Sequence, residues 1–149
     1  ARLGPCGPTP VGAALLGANA AFITSPQRGS AYAFTRAGTT WTQQAQIAPG
    51  SGAYDHFGSS VALAGDTALI GAPQYDSPFT DQGAAYVFVR SGSTWLRTST
   101  IFAADAADGH FFGSSVSLSG DTALISAPQH DLTYLDQGSA YVFARTPTT

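Results

Sequence analysis

The stretch Phe57-Gly58-Ser59-Ser60-Val61-Ala62-Leu63-Ala64-Gly65-Asp66-Thr67-Ala68-Leu69-Ile70-Gly71-Ala72-Pro73 returns later in the chain. It reads there as Phe112-Gly113-Ser114-Ser115-Val116-Ser117-Leu118-Ser119-Gly120-Asp121-Thr122-Ala123-Leu124-Ile125-Ser126-Ala127-Pro128. Val61, Asp66, Pro73 and Gly83 recur as Val116, Asp121, Pro128 and Gly138, each 55 residues on. A fixed period of this length marks a supersecondary unit copied in tandem, which buries its apolar face only against its neighbours. A weaker copy precedes both, since Ala14, Leu16, Asn19, Ile23 and Pro26 stand 47 positions before Val61, Leu63, Asp66, Ile70 and Pro73.

Within each unit the pattern predicts strands. Ser60 to Ala64 and Thr67 to Gly71 flank Gly65-Asp66, a tight turn in which glycine supplies positive φ at little cost. Ser115 to Ser119, Gly120-Asp121 and Thr122 to Ser126 repeat it. Pro73 and Pro128 stop the second strand, because proline cannot donate to a ladder. A third strand is expected at Ala84 to Val89, matched by Ser139 to Ala144 and Ser30 to Thr35. It is apolar at consecutive positions, as a strand covered on both faces would be. A fourth runs from Thr94-Trp95 to about Phe102, with Thr40-Trp41 to Ile47 as its counterpart.

The fold class is therefore all-β, in β-propeller-type blades of four antiparallel strands and about three tandem units. A β-solenoid is the main competitor, but its repeats are shorter. Residues 11–50 form a degenerate first unit, 51–105 the second, and 106–149 a third lacking its fourth strand. Residues 1–10 could supply a strand to a neighbouring blade. Three blades do not close a ring, so either the chain is part of a longer propeller or copies assemble into one.

Composition narrows the function classes. The chain has 149 residues, a net charge of −3 and only 10% charged residues. Its six basic residues are all arginine and scattered, so the electrostatic footprint of a nucleic-acid binder is missing. No apolar run reaches the roughly 20 residues of a membrane-spanning helix. Cys6 is the single cysteine and has no partner within the chain, leaving a free thiol or an intermolecular link. Arg2, the apolar run Val11 to Ala18 and Ala18-Asn19-Ala20 resemble a signal peptide, yet the same residues align better as the degenerate unit.

Phe57-Gly58 and Phe112-Gly113, followed by Gly71-Ala72-Pro73 and Ser126-Ala127-Pro128, resemble the FG-GAP repeat. Val61 to Pro73 followed by Gln82 to Phe88 is especially similar to its bacterial form. The resemblance covers roughly residues 11–145 and implies the β-propeller fold known at the head of integrin α subunits. It also implies a secreted or cell-surface location. Integrin-type blades often carry a calcium loop between the first two strands. Here that place holds only Gly65-Asp66 or Gly120-Asp121, too short for the six to eight oxygen ligands calcium takes. No cofactor and no metal is expected.

Candidate binding residues lie in the long loops. Asp76 and Asp81 pair in one, Asp131 and Asp136 in the other, at equivalent places. They could hold an ion or sugar hydroxyls, but organising the loop through backbone N–H groups accounts for them as well. Tyr75, Phe79 and Tyr134 could form a stacking surface, or fill gaps between blades. His130 stands beside Asp131 in the second loop. His56, His110 and His130 invite a catalytic reading, as a base beside Ser59 or Ser114. Those serines recur with the repeat, as structural positions do, whereas nucleophilic catalysis needs one unique constellation. The expected function is a non-catalytic extracellular or cell-surface interaction module, binding protein or forming part of an assembly. A lectin-like module using Tyr75, Asp76, Asp81, His130, Asp131, Tyr134 and Asp136 is the alternative.

Overall fold

Gly65 and Asp66 turn the chain between Ala64 and Thr67, which face each other across a two-residue loop with Gly65 at φ 56°. Gly120 does the same at φ 56° between Ser119 and Thr122. The positive φ that the sequence assigned to these glycines is what lets so short a loop match the twist of its strands.

The computed structural model describes residues 14–16, 20–25, 29–50, 55–131 and 137–146. The expectations for residues 1–10 and Cys6 lie outside these. Eleven strands form three antiparallel sheets among the described residues. The first sheet holds β1 (Ala14–Leu16), β2 (Ala20–Ser25), β3 (Ser30–Ala37) and β4 (Thr40–Ile47) in that order. The second holds β5 (Ser60–Ala64), β6 (Thr67–Ala72), β7 (Ala84–Ser91) and β8 (Thr94–Ile101). The third holds β9 (Val116–Ser119), β10 (Thr122–Ala127) and β11 (Ser139–Ala144). Every strand pairs with its neighbour in sequence, and a register shift recurs at Ala33/Phe34 and at Val87/Phe88.

Two apolar clusters join the sheets in chain order. Phe22, Ala31 and Ala33 of the first sheet meet Val61, Ala68, Ile70, Tyr86 and Trp95 of the second. Ala62, Leu69 and Ala85 on the opposite face of the second sheet meet Ala123, Ile125 and Ala127 of the third. The second sheet is thus covered on both sides, as the unbroken apolar run of β7 requires. β11 behaves differently, because its burial alternates along the strand. Val142 is 69% exposed and Leu124 on β10 is 46% exposed. An identical sequence pattern gives two burial patterns because one sheet has neighbours on both faces and the other, among the described residues, on one.

The Phe-Gly turn builds these contacts. Phe57 and Phe112 are both fully buried. Phe57 packs edge-on against Tyr86 at 5.3 Å and Phe88 at 6.0 Å, and Phe112 against Tyr141 at 5.5 Å and Phe143 at 6.0 Å. The following glycine donates its N–H back to its own sheet, Gly58 to the Gly71 carbonyl and Gly113 to that of Ser126, both at 2.9 Å. Its other side rests on the preceding sheet. A Cβ on Gly58 would lie 2.9 Å from Cβ of Thr24, and one on Gly113 only 2.3 Å from the Ala84 carbonyl oxygen. Ser60 Oγ donates to the Gly113 carbonyl at 2.8 Å, and Gly83 bridges Phe112 in a parallel pair.

Candidate functional site

The loop after β6 runs from Pro73 to Gly83, and its residues are held mainly by one another and by the next inter-sheet loop. Tyr75 accepts the Gly83 N–H on its carbonyl at 3.1 Å, and Asp76 Oδ1 accepts the Asp81 N–H at 2.6 Å. Gln82 is buried at 2% exposure and its side-chain amide donates to the Ser77 carbonyl. Thr80 donates its N–H to Asp108 Oδ1 and accepts the N–H of Gly109, both at 2.8 Å. Asp76 and Asp81 are thus drawn together through backbone, the loop-organising role that aspartate performs in turns. Asp55 is buried nearby. Burial first, and the Asp76 charge second, push its carboxyl above the ordinary carboxylate range.

Tyr75 is half-buried. Its ring packs against Tyr86 at 6.4 Å and Phe102 at 5.5 Å, on the margin of the first apolar cluster. Phe79, 42% exposed, is the aromatic the loop displays. Asp131 is exposed, while Tyr134 and Asp136 lie outside the described residues.

His130 departs most from its expected place. It is 2% exposed, so an external ligand does not reach it in this conformation. Its Nε2 lies 3.0 Å from Asp105 Oδ2 and its Nδ1 3.0 Å from Ser139 Oγ. The neutral tautomer with the proton on Nε2 satisfies both, donating to the carboxylate and accepting from the hydroxyl. Tyr141 donates to Asp105 Oδ1 at 2.7 Å and also meets the Ser139 hydroxyl, closing a ring of four side chains. The His110 ring stands edge-on to His130 at 4.5 Å. The Tyr141 hydrogen bond, ahead of all other causes, holds the Asp105 carboxyl below its ordinary value. Burial, with the same bond, pushes the Tyr141 phenol up.

This cluster is not repeated in the preceding period. One period earlier, Asp105, His110, His130 and Ser139 are Gly50, Asp55, Tyr75 and Ala84; only Tyr141 keeps its identity, as Tyr86. The network fastens His130 to the third sheet, and Gly138 donates its N–H to the His130 carbonyl at 3.0 Å. Asp105→Asn is expected to cost about 1 kcal/mol at neutral pH, the exposure of this carboxylate keeping it at the low end for a charged hydrogen bond. A depressed pKa contributes stability above the unfolded-state value and loses it as pH falls through the folded-state value. The variant should therefore show a flatter loss of stability below about pH 4 than the parent, measured by urea unfolding across pH.

The serines weighed for catalysis hydrogen-bond within their own turns. Ser59 Oγ donates to the His56 carbonyl at 2.8 Å, and Ser114 Oγ to that of Phe111 at 2.7 Å. Both serve the turn, and neither faces an imidazole nitrogen through these bonds. Another repeated pair went unremarked in the sequence. Arg90 Nε donates to Asp66 Oδ1 at 2.7 Å and Arg145 Nε to Asp121 Oδ1 at 2.8 Å, fastening each hairpin turn to the third strand. The signal was available, because both pairs are 24 residues apart. Among the described residues, no three His, Cys, Asp or Glu side chains are grouped to hold a metal ion.

Comparison with known proteins agrees with this duplicated geometry. A family model for the FG-GAP repeat matches residues 41–88 and 95–143, together more than half of the chain. Each match begins at a tryptophan of a fourth strand and ends in the third strand of the following sheet. No curated protein matches the chain.

Proposed function

This chain belongs to the FG-GAP repeat family, and from that premise we propose that it is a non-catalytic interaction and structural module. It forms an arc of a β-propeller that works outside the cell or at its surface. The reading rests on a face of the third sheet that no described residue covers. Leu124 and Val142 are exposed there, whereas their counterparts one period earlier, Leu69 and Val87, belong to the cluster that the third sheet covers. A face built to be covered and left open is an interaction surface. A following unit of a longer chain, or a second copy of this one, has the shape to cover it.

The non-catalytic part of the proposal rests on where the polar groups are spent. Ser139, His130 and Asp105 have the residue types of a nucleophilic triad, but their ring closes on Tyr141 and the imidazole is buried. A glycan-binding reading gains nothing from Tyr75, whose ring is occupied by the core.

Native mass by light scattering after size exclusion tests the proposal. The chain is expected to bury its open face in self-association, giving a mass at least twice 15.2 kDa. Val142→Glu should return it toward the monomer, because an unpaired charge is costly to bury. A soluble, cooperatively folded monomer at high concentration, with or without the substitution, would overturn the reading.

A further inference from the structure

The first and second sheets meet along a groove between their last strands, β4 and β8. It encloses about 560 Å³, with Gln44 and Gln46 on one wall and Ser93, Thr94, Trp95 and Arg97 on the other. Two buried polar atoms in these walls have no hydrogen-bond partner, Oε1 of Gln44 and Nε1 of Trp95. One is an acceptor and the other a donor. A buried polar group left without a partner is costly and rare, so two of opposite kind in one groove call for a cause.

Local devices put each of them there. β3 and β4 pair Ala33 with Ala45 and Phe34 with Gln43, which leaves Gln44 as the extra residue of a β-bulge. Such a bulge re-aims a side chain at the margin of a sheet. The second sheet carries the same bulge, with Thr98 as its extra residue. There the hydroxyl donates back to the Val87 carbonyl at 3.3 Å, whereas Gln44 Oε1 has no such partner. Across the groove Trp95 is 8% exposed and clamped. Phe22 meets its ring edge-on at 4.8 Å, and the Arg90 guanidinium lies 5.9 Å from its centre. The indole is fixed, while Gln44, half-buried on an edge strand, can turn aside to admit a group between them.

We propose that this groove binds a neutral sugar unit of a glycan, one of whose hydroxyls accepts from Trp95 Nε1 and donates to Gln44 Oε1. A hydroxyl donates and accepts at a single atom, which answers both orphaned groups at once. Gln46, Ser93 and Thr94 also both donate and accept, matching a ligand that carries several hydroxyls. Arg97 is the one charged residue among the described residues that line the groove, so a cation has no carboxylate to hold it. Arg97 is itself engaged, donating to the Pro49 carbonyl at 3.0 Å and lying over the Tyr86 ring at 5.8 Å, which favours a neutral ligand over an anion. The size is that of a small-molecule site, roughly 300–1,000 Å³. None of Tyr75, Asp76 and Asp131 lines this groove, so the site is distinct from the loops. It lies between the first two sheets and does not rest on the open face of the third.

The full chain, isotope-labelled, is titrated with the methyl glycosides of glucose, galactose, mannose and N-acetylglucosamine. Each is taken to about 100 mM, far enough to reveal millimolar affinity. NMR follows the indole N–H signals of Trp41 and Trp95, which Trp41→Phe assigns. A glycoside is expected to shift the Trp95 signal saturably and leave that of Trp41 in place. Gln44→Leu keeps the bulk of the side chain and removes the acceptor, and should weaken binding about fivefold, as loss of one neutral hydrogen bond does. Phe79→Ala, on the loop, should leave the affinity unchanged, and circular dichroism checks the fold of both variants. If none of the glycosides shifts the Trp95 signal saturably, or if Gln44→Leu binds at full affinity, the proposal is overturned.

Discussion

Gly113→Ala is expected to remove on the order of 3–5 kcal/mol of stability, the sum of overpacking and of a left-handed backbone that alanine resists. Gly113 sits at φ 92°, and the added methyl would lie 2.3 Å from the Ala84 carbonyl oxygen and 3.3 Å from the Ala72 nitrogen. Both obstacles are backbone of the neighbouring sheet, so relief requires the two sheets to part. Gly71→Ala meets the same seam from the other side, 2.0 Å from the Gly113 carbonyl oxygen and 2.3 Å from Ser60 Oγ. It should be comparably damaging although its φ is ordinary. Gly120→Ala separates the two effects. Its φ is 56° and no atom lies within 4 Å, so only the conformational cost of roughly 1 kcal/mol remains. Urea unfolding at fixed pH measures all three. Equal midpoints for Gly113→Ala and Gly120→Ala would show that the seam is not tightly packed.

Phe112→Ala is expected to cost about 3–5 kcal/mol, the range for emptying a buried aromatic site. Phe112 is fully buried and lies in the cluster shared by the second and third sheets. Its edge-on contacts with Tyr141 and Phe143 would be lost as well. Against a typical domain stability of about 5–15 kcal/mol, such a loss brings the chain close to unfolding at ordinary temperature. Phe79→Ala is the control. At 42% exposure on a loop its truncation should stay within about 0.5 kcal/mol. A thermal midpoint for Phe112→Ala within a few degrees of the parent would mean that the Phe-Gly turn does not join the sheets energetically.

The strands and their turns were legible because their causes are local. Gly65-Asp66 needs only two residues to declare a hairpin, and Pro73 only one to stop a strand. The end-to-end match of Thr40–Ile47 with a whole strand follows from the same economy. Burial was less legible, because it depends on what lies across the sheet. β7 and β11 share the run Ala-Tyr-Val-Phe, yet Val142 is open and Val87 is packed. Tyr75 stands in a polar loop, and only the fold shows that Tyr86 of its own sheet and Phe102 after β8 half-bury its ring. The company of His130 was not legible in the sequence. Asp131 is adjacent in sequence, but the partners of the imidazole are Asp105 and Ser139, 25 and 9 residues away. No spacing rule joins those positions, and the one available clue was negative: 55 residues earlier the chain has Gly50 and Ala84 in their places.

Both described Phe-Gly turns lean on the sheet before them, which gives the molecule a direction in time. A chain emerges from the ribosome at about 5–20 residues per second, while a hairpin closes in about 1–10 μs. The first sheet ends at Ile47, ahead of Phe57, and the second at Ile101, ahead of Phe112. Each wedge is therefore made only after the surface that receives it can already exist. Each Phe-Gly turn thus finds its receiving sheet already made, while the apolar faces of the first and second sheets wait for the sheet that follows to cover them.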